Sequence, residues 1–335
     1  MDTPGAPRSS NTISEPRSFH EPHPLHALCS LASRYGTREG FTPAAFTSDT
    51  LPGIRFTTTP SAGDPVCAVE GPAFAVVLQG AKRTVVGPSS YRYSAGQYLV
   101  LSLELPITAT AVDASPQQPL LSFGMRLRAA HIASLLLEMP ATPPNSKIVS
   151  SSASSPESGQ ASSGVAVSDA GPDLLDAVLR LVQLIDRPSD IPILAPMIER
   201  EILWRLLTGP QGALIRQIGL ADSRLSQISR SVSWIRHNYN KSFRTEDLAQ
   251  LSGMSVSTFH RNFRTVTAMT PLEYQKQIRL QEARTRLLAD PRDIAAIGFA
   301  VGYDSPSQFS REYRRLFGDS PGRDAQRLHA QPAIV

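Results

Sequence analysis

The residues of this chain best equipped to recognise another molecule are arginines at matched places in two copies of one pattern. Residues 255–271 read SVSTFHRNFRTVTAMTP and, fifty positions on, residues 305–321 read SPSQFSREYRRLFGDSP. Phe259 answers to Phe309, Arg261 to Arg311, Phe263 to Tyr313, Ala268 to Gly318, Thr270 to Ser320 and Pro271 to Pro321. Self-similarity at a fixed period means one structural unit built twice. A guanidinium carries a rigid fork of donors that fits paired acceptors, above all O6 and N7 of guanine, for about 1–3 kcal/mol of base discrimination. Ser257 and His260 in the first copy, and Ser307 and Ser310 in the second, are weaker readers of the same kind. Arg264, Arg314 and Arg315 lie further along, where phosphate contacts position a protein without specifying sequence. A solvated helix face has the same composition; the recurrence of Arg261 as Arg311 is what favours recognition.

Such side chains need helices under them. In each copy the aromatic residues stand four apart, on one helical face, and the arginines fall on the other. Gly253 and Gly302 precede the two stretches, as the turn of a helix-turn-helix requires. The spacing predicts a helix over 246–252 with Thr245 as its cap, then a reading helix over 256–266 capped by Ser255. The second unit is predicted over 294–302, with its reading helix over 306–317. Thr270–Pro271, Ser305–Pro306 and Ser320–Pro321 each pair a capping hydroxyl with a proline at the first helical position. Residues 272–289 form the joining helix, about 27 Å long, enough to hold both readers near the ~34 Å spacing of successive major grooves. Residues 223–239 frame the first unit, with Leu225, Ile228, Val232, Ile235 and Tyr239 on one face.

The formal charge of the 335 residues is +4, unevenly spread. Residues 223–330 carry 17 Lys and Arg against 10 Asp and Glu, while the remainder carries 16 against 19. A basic C-terminal third beside a slightly acidic remainder fits a polyanion-binding module joined to a partner domain. Two cysteines, Cys29 and Cys67, make neither a disulfide framework nor a metal cluster. They read as small buried hydrophobes in a reducing cytoplasm. Residues 1–20 lack the apolar stretch of a signal peptide, and no apolar run approaches the ~20 residues of a membrane helix. The expected location is cytoplasmic.

Before the basic third, short extended runs begin at 54–58, 73–78, 82–86, 91–93, 97–103, 107–112 and 120–126, punctuated by Gly and Pro. This predicts a β sandwich or small barrel whose interior can hold one small ligand. Phe74, Val76, Tyr91, Tyr98 and Leu103 are the candidate effector-binding residues. A metal-dependent barrel enzyme is the rival, but none of the seven histidines lies between Leu51 and Arg126, where imidazole ligands would be needed. With no Ser/His/Asp order and no phosphate-cradling glycine loop, no catalytic residue, metal ligand or cofactor is assigned. Residues 25–35, 129–139, 174–185 and 193–207 read as apolar helices, the last two as core or dimer interface.

These residues closely resemble the AraC/XylS family of transcription regulators over about 223–330. The pattern is carried by Leu248, Ala249, Gly253, Ser255, Arg261, Phe263, Pro271, Tyr274, Arg279, Leu280, Ala283 and Leu287. It continues through Ile297, Gly302, Tyr303, Ser307, Phe309, Arg311, Phe317, Gly318 and Pro321. LPGIRF, AVVLQGAKR, YSAGQYLVLSLELPITA and DRPSDIPILAPMIEREILWRLLTGPQGALIRQI resemble the family's cupin-type regulatory domain. The resemblance implies ligand-responsive control of transcription, commonly by dimers. Gly298, Ala295 and Pro306 depart from the pattern, so the second unit is expected to be less firmly built, glycine costing a helix about 0.5–1 kcal/mol relative to alanine.

The expected fold is α+β: an N-terminal cupin-like β-barrel with flanking helices, then an all-α DNA-binding domain of two helix-turn-helix units joined by a long helix. The expected divisions are a disordered tail at 1–24, an effector-binding domain at 25–140 and a Ser/Pro-rich linker at 141–170. A helical region at 171–222 and the DNA-binding domain at 223–330 follow. Expected partners are double-stranded promoter or operator DNA, RNA polymerase, an unidentified small effector and a second copy of the chain, with no membrane. The alternatives are a cupin-like enzyme fused to a DNA-binding module, a non-specific architectural binder, and a regulator whose N-terminal part only dimerises.

Overall fold

The computed structural model describes residues 24–36, 46–47, 51, 53–62, 65–139, 163–290 and 293–330. Almost all of the expected tail and residues 141–162 of the expected linker lie outside the described residues. Two antiparallel sheets build the N-terminal half. The larger runs in the order β1 (Phe46–Thr47), β2 (Ile54–Thr59), β9 (Leu120–Arg126), β4 (Ala73–Gln79), β7 (Gln97–Leu101) and β10 (Val165–Asp169). The smaller runs β3 (Val66–Glu70), β8 (Leu105–Val112), β5 (Ala81–Val86) and β6 (Ser89–Ser94).

The strands follow from β-branched and aromatic runs whose alternate residues face opposite sides. β4 is apolar on both faces because both are covered. Opposed residues share a face, so Ala75, Leu99 and Gly124 look toward the smaller sheet. Val76, Tyr98 and Phe123 look the other way, where α1 (Pro24–Gly36) crosses β2, β4 and β9. β10 departs from expectation, for residues 165–169 were assigned to the linker. Its five residues pair with β7 from Val165 opposite Leu101 to Asp169 opposite Gln97. That partner lies more than sixty residues back in the chain, so local periodicity did not reveal the strand.

Helices α2 (Ala129–Glu138), α3 (Pro172–Gln183), α4 (Ile191–Thr208) and α5 (Gly212–Gly219) complete this half. α3 buries Leu174, Leu175, Val178, Leu181 and Val182 against α1 and α4. The C-terminal half is all helical: α6 (Arg224–His237), α7 (Thr245–Leu251), α8 (Val256–Thr267), α9 (Pro271–Ala289), α10 (Ile294–Ala300), α11 (Pro306–Phe317) and α12 (Pro321–Ala330). No described helix is long and apolar enough to cross a membrane.

The apolar core does not divide at residue 223. One continuous cluster runs from Leu28 through the sandwich and its helices into Phe259, Phe263, Tyr274 and Ile278. A second, separate cluster gathers Leu280, Ala283, Leu287, Val301, Tyr303, Phe309, Tyr313 and Ala325. The break falls within α9, between Ile278 and Leu280.

Candidate nucleic-acid interface and effector cavity

The first helix-turn-helix is α7, the turn at Gly253 and α8. Thr245 is the first residue of α7 and Arg244 its cap position, without a side-chain bond; this moves the expected cap by one residue. Gly253 adopts φ +66, a left-handed turn that glycine takes without a Cβ clash. Ser255 caps α8 by accepting from the Thr258 amide at 3.4 Å. Phe259 and Phe263 are fully buried, 5.4 Å apart by ring centres, and Phe263 meets Tyr274 edge-on at 5.9 Å. With that face committed to the core, Ser257, His260, Arg261 and Arg264 are all exposed. A buried hydroxyl pair absent from the sequence reading ties the turn to the framing helix. Ser231 donates to Leu248 O at 2.9 Å and lies 2.6 Å from Ser252 Oγ.

The second unit repeats the arrangement. Ser305 caps α11 by accepting from the Gln308 amide, and Phe309 and Tyr313 are fully buried. Ser307, Arg311, Arg314 and Arg315 are exposed and Ser310 is half-buried. Among the described residues the guanidinium groups of Arg261, Arg311, Arg314 and Arg315 make no hydrogen bond or ion pair. Both reading helices end in a left-handed residue, Ala268 at φ 62 and Gly318 at φ 85.

The expected weakness of α10 is corrected. Asp293, two residues before Ala295, accepts from the Ala296 amide at 2.8 Å and caps the helix. A Cβ at Gly298 would stand 3.0 Å from Phe309 Cδ1, so glycine lets α10 approach the core face of α11. The Gly costs helix propensity and gains close packing.

Several cations counted in the basic C-terminal third are engaged in contacts within it. Arg279 donates to Tyr239 O at 2.6 Å, Gly302 O at 2.6 Å and Lys241 O at 3.4 Å, and stands over the Tyr303 ring. It staples the turn of the second unit to the exit of α6, and burial holds its pKa below the ordinary arginine value. Arg284 forms a two-armed pair with the fully buried Asp324 at 2.9 and 3.2 Å. Tyr313 and Arg327 also donate to that carboxylate, at 2.7 and 2.6 Å. Burial alone would raise the Asp324 pKa; bonds from Arg327, Tyr313 and Arg284 outweigh it and hold the carboxyl below its usual range. Arg286 reaches Glu282 and Tyr239 Oη. None of these roles is legible from basic composition.

The sandwich encloses a cavity of about 500 Å³ between its sheets. Ala73, Ala75, Leu99 and Leu101 form its wall on the larger sheet, with Thr84, Tyr93 and Ile107 opposite. Lys82, Arg55, Arg126 and Arg128 also line it, with Glu70 as the one carboxylate among the described residues. Arg55 and Glu70 are ion-paired across the sheets. Of the five candidate effector residues, Phe74 borders the cavity. Val76 and Tyr98 occupy the helix-facing side of β4 and β7, Tyr98 packing on Phe74 at 5.3 Å. Burial, against a hydrogen bond to Ser168, raises the Tyr98 pKa. Leu103 is buried beside Gly164, and Tyr91 Oη lies 3.4 Å from Ser163 Oγ. Apolar size selected these residues, whereas the period of two decides which face sees the cavity. Polar residues at the inward parity of β5, Lys82 and Thr84, were the signal available.

The halves meet directly. Tyr274 Oη donates to Glu104 O at 3.0 Å, Arg236 pairs with the Glu104 carboxylate, and Gln281 Nε2 donates to Ile107 O at 3.4 Å. Gly164 N donates to Val266 O at 3.0 Å, satisfying a carbonyl in the last turn of α8.

Two family models match the chain: the N-terminus of AraC-type transcriptional regulators over residues 50–214, and a helix-turn-helix domain over residues 248–327. HTH-type transcriptional activator RhaS of Escherichia fergusonii is 28% identical over 158 residues, 45% of this chain and 56% of that protein. RhaS of Pectobacterium carotovorum is 32% identical over 101 residues, 30% and 36% of the two. The chain thus spans about half the length, or less, of these curated relatives. An apo ToxT variant from Vibrio cholerae superposes with a TM-score of 0.51 at 10% identity, over 82% of this chain and 98% of that one, a likeness of fold.

Proposed function

We infer that this chain, which belongs to the AraC-type family of transcriptional regulators, binds promoter or operator DNA sequence-specifically through α8 and α11. One observation carries this. Among the described residues Arg261 and Arg311 stand exposed and without a side-chain partner at equivalent places on two capped helices, while Arg279, Arg284 and Arg286 are engaged in internal contacts. In a helix-turn-helix the second helix enters the major groove. Arg261 and Arg311 therefore read guanine, with Ser257, His260, Ser307 and Ser310 beside them, and Arg264, Arg314 and Arg315 hold phosphate. The output is a change in transcription, as the name of the RhaS relatives indicates for those proteins, which makes RNA polymerase a further partner. The test is binding of the full chain to a selected duplex and to a random one at the same salt. Affinities within a small factor of each other would mean an architectural binder instead.

The sandwich cavity is the effector site. Gln281 of α9 bonds the carbonyl of Ile107, whose side chain lines the cavity. A ligand that binds one pose of β8 more tightly biases α9, and so the two readers, by a population shift. A second copy of the chain covers the apolar stripe of Leu137, Ile193, Met197 and Trp204, which are 88%, 68%, 63% and 39% exposed. Sedimentation velocity should show a dimer that Met197→Glu converts to monomer; a monomeric wild type at micromolar concentration would refute the assignment.

A further inference from the structure

We propose, on the effector role inferred above, that the cavity takes an organic monocarboxylate with an apolar body rather than a neutral ligand. Among the described residues four cations and one carboxylate line it, and that carboxylate, Glu70, is committed to Arg55. Arg128 lies with its Nη2 3.9 Å from where a Cβ on Gly53 would be, and is shared electrostatically with Glu199. Lys82 is different. It is half-buried between the sheets, and among the described residues its ammonium has no hydrogen bond or ion pair. An ammonium lining a cavity without an ion pair is open to a counter-charge brought by a ligand.

The surroundings select the kind of anion. Tyr93, directly across from Lys82 on β6, and Thr84, two residues along β5, are buried and 3.2 Å apart through their hydroxyls. Two hydroxyls in one mutual bond consume one O–H, which leaves the other to donate to a carboxylate oxygen beside the ammonium. One ammonium and one hydroxyl match a single negative charge with two acceptor oxygens. The opposite wall is Ala73, Ala75, Leu99 and Leu101, and small side chains on β4 make room for an apolar body. The volume, about 500 Å³, lies in the ordinary range for small-molecule sites. A polyol would leave this wall against hydroxyls and Lys82 without a counter-charge.

Titration calorimetry on the full chain separates the possibilities, using 2-naphthoate and octanoate against their neutral amides and against 1-naphthyl phosphate. The acids should bind at least tenfold more tightly than the amides, the difference expected of one charge-assisted contact. Lys82→Met should erase that preference, Lys82→Arg should retain it, and Arg92→Gln, which removes the same charge from outside the cavity, should leave it intact. Thermal melting of each variant checks the fold. Equal binding of acids and amides, undiminished acid binding by Lys82→Met, tighter binding of the phosphate, or no acid binding would each overturn the proposal. Duplex affinity recorded on the same samples keeps the two levels apart. A neutral compound that binds and shifts that affinity preserves the effector role while refuting the anion. Compounds that bind without ever shifting it leave the anion assignment standing and refute the effector role.

Discussion

Arginine does two opposite things in the C-terminal half, and burial separates them. Arg261 and Arg279 are eighteen residues apart and equally basic in sequence. Arg261 is exposed with no side-chain partner among the described residues, while Arg279 is half-buried and bonded to three carbonyls. The two substitutions should therefore fail differently. Arg261→Ala should leave the melting temperature unchanged and cost about 1–3 kcal/mol of discrimination at one base position. Arg279→Ala should lower stability by about 2 kcal/mol or more, since three carbonyls lose a charged donor. Melting curves and a binding series over single-base operator variants distinguish them. An unchanged footprint with Arg261→Ala would remove its base-reading role. Glycine needs the same discrimination: at Gly302 a Cβ would stand 2.6 Å from Asn240 O, so the residue serves the turn and the stapling of the units together.

At the scale of elements, the two helix-turn-helix units share a pattern but not a means of support. α8 is backed by the large core and by the Gly164 amide at its C-terminal end. α11 relies on a small cluster and on the Asp324 network with Arg284, Tyr313 and Arg327. That network makes the second unit acid-sensitive. The folded pKa of Asp324 lies below its unfolded value of about 3.9. The stabilisation is thus fully present above that pH and is lost as pH falls through the folded pKa. Asp324→Asn should cost about 3–5 kcal/mol near neutrality, because Arg284 stays buried without its counter-charge. The variant should also lose less stability than wild type between pH 5 and pH 3. Hydrogen exchange in residues 306–317 as a function of pH reads this directly; parallel pH profiles for the two proteins would show that the carboxylate carries none of the acid response.

At the scale of the molecule, the regulation proposed above would run through the contacts that cross between the halves. Tyr274, Arg236 and Gln281 all reach the segment from Glu104 to Ile107, which leads into the cavity wall. Among the described residues Gln281 Oε1 is buried without a partner, so the contact is incompletely satisfied and inexpensive to rearrange. Coupling is reciprocal. Binding of a target duplex should therefore alter amide exchange in residues 104–112 of the wild type. It should not do so when Tyr274→Phe and Gln281→Leu are combined, a pair that removes donors and keeps packing. Identical exchange with and without duplex in the wild type would dispose of this route.

Much of this was legible in the chain. Caps at Ser255, Thr270 and Ser305, the Gly253 and Gly302 turns and the four-residue aromatic step determine the reading helices, because each is a local property of a few neighbouring residues. The strand runs were legible for the same reason, and so was the exposure of Arg261 and Arg311. What the sequence left undecided were pairings over long separations: β10 against β7, Gly164 against α8, Asp324 against Arg284, and the parity that turns Ala75 rather than Val76 toward the cavity. Local periodicity says that a residue is apolar or polar and on which face of its own element it lies. Only the tertiary structure decides what that face meets. It is this that merges the first helix-turn-helix with the core of the N-terminal half and gives the second an apolar cluster of its own.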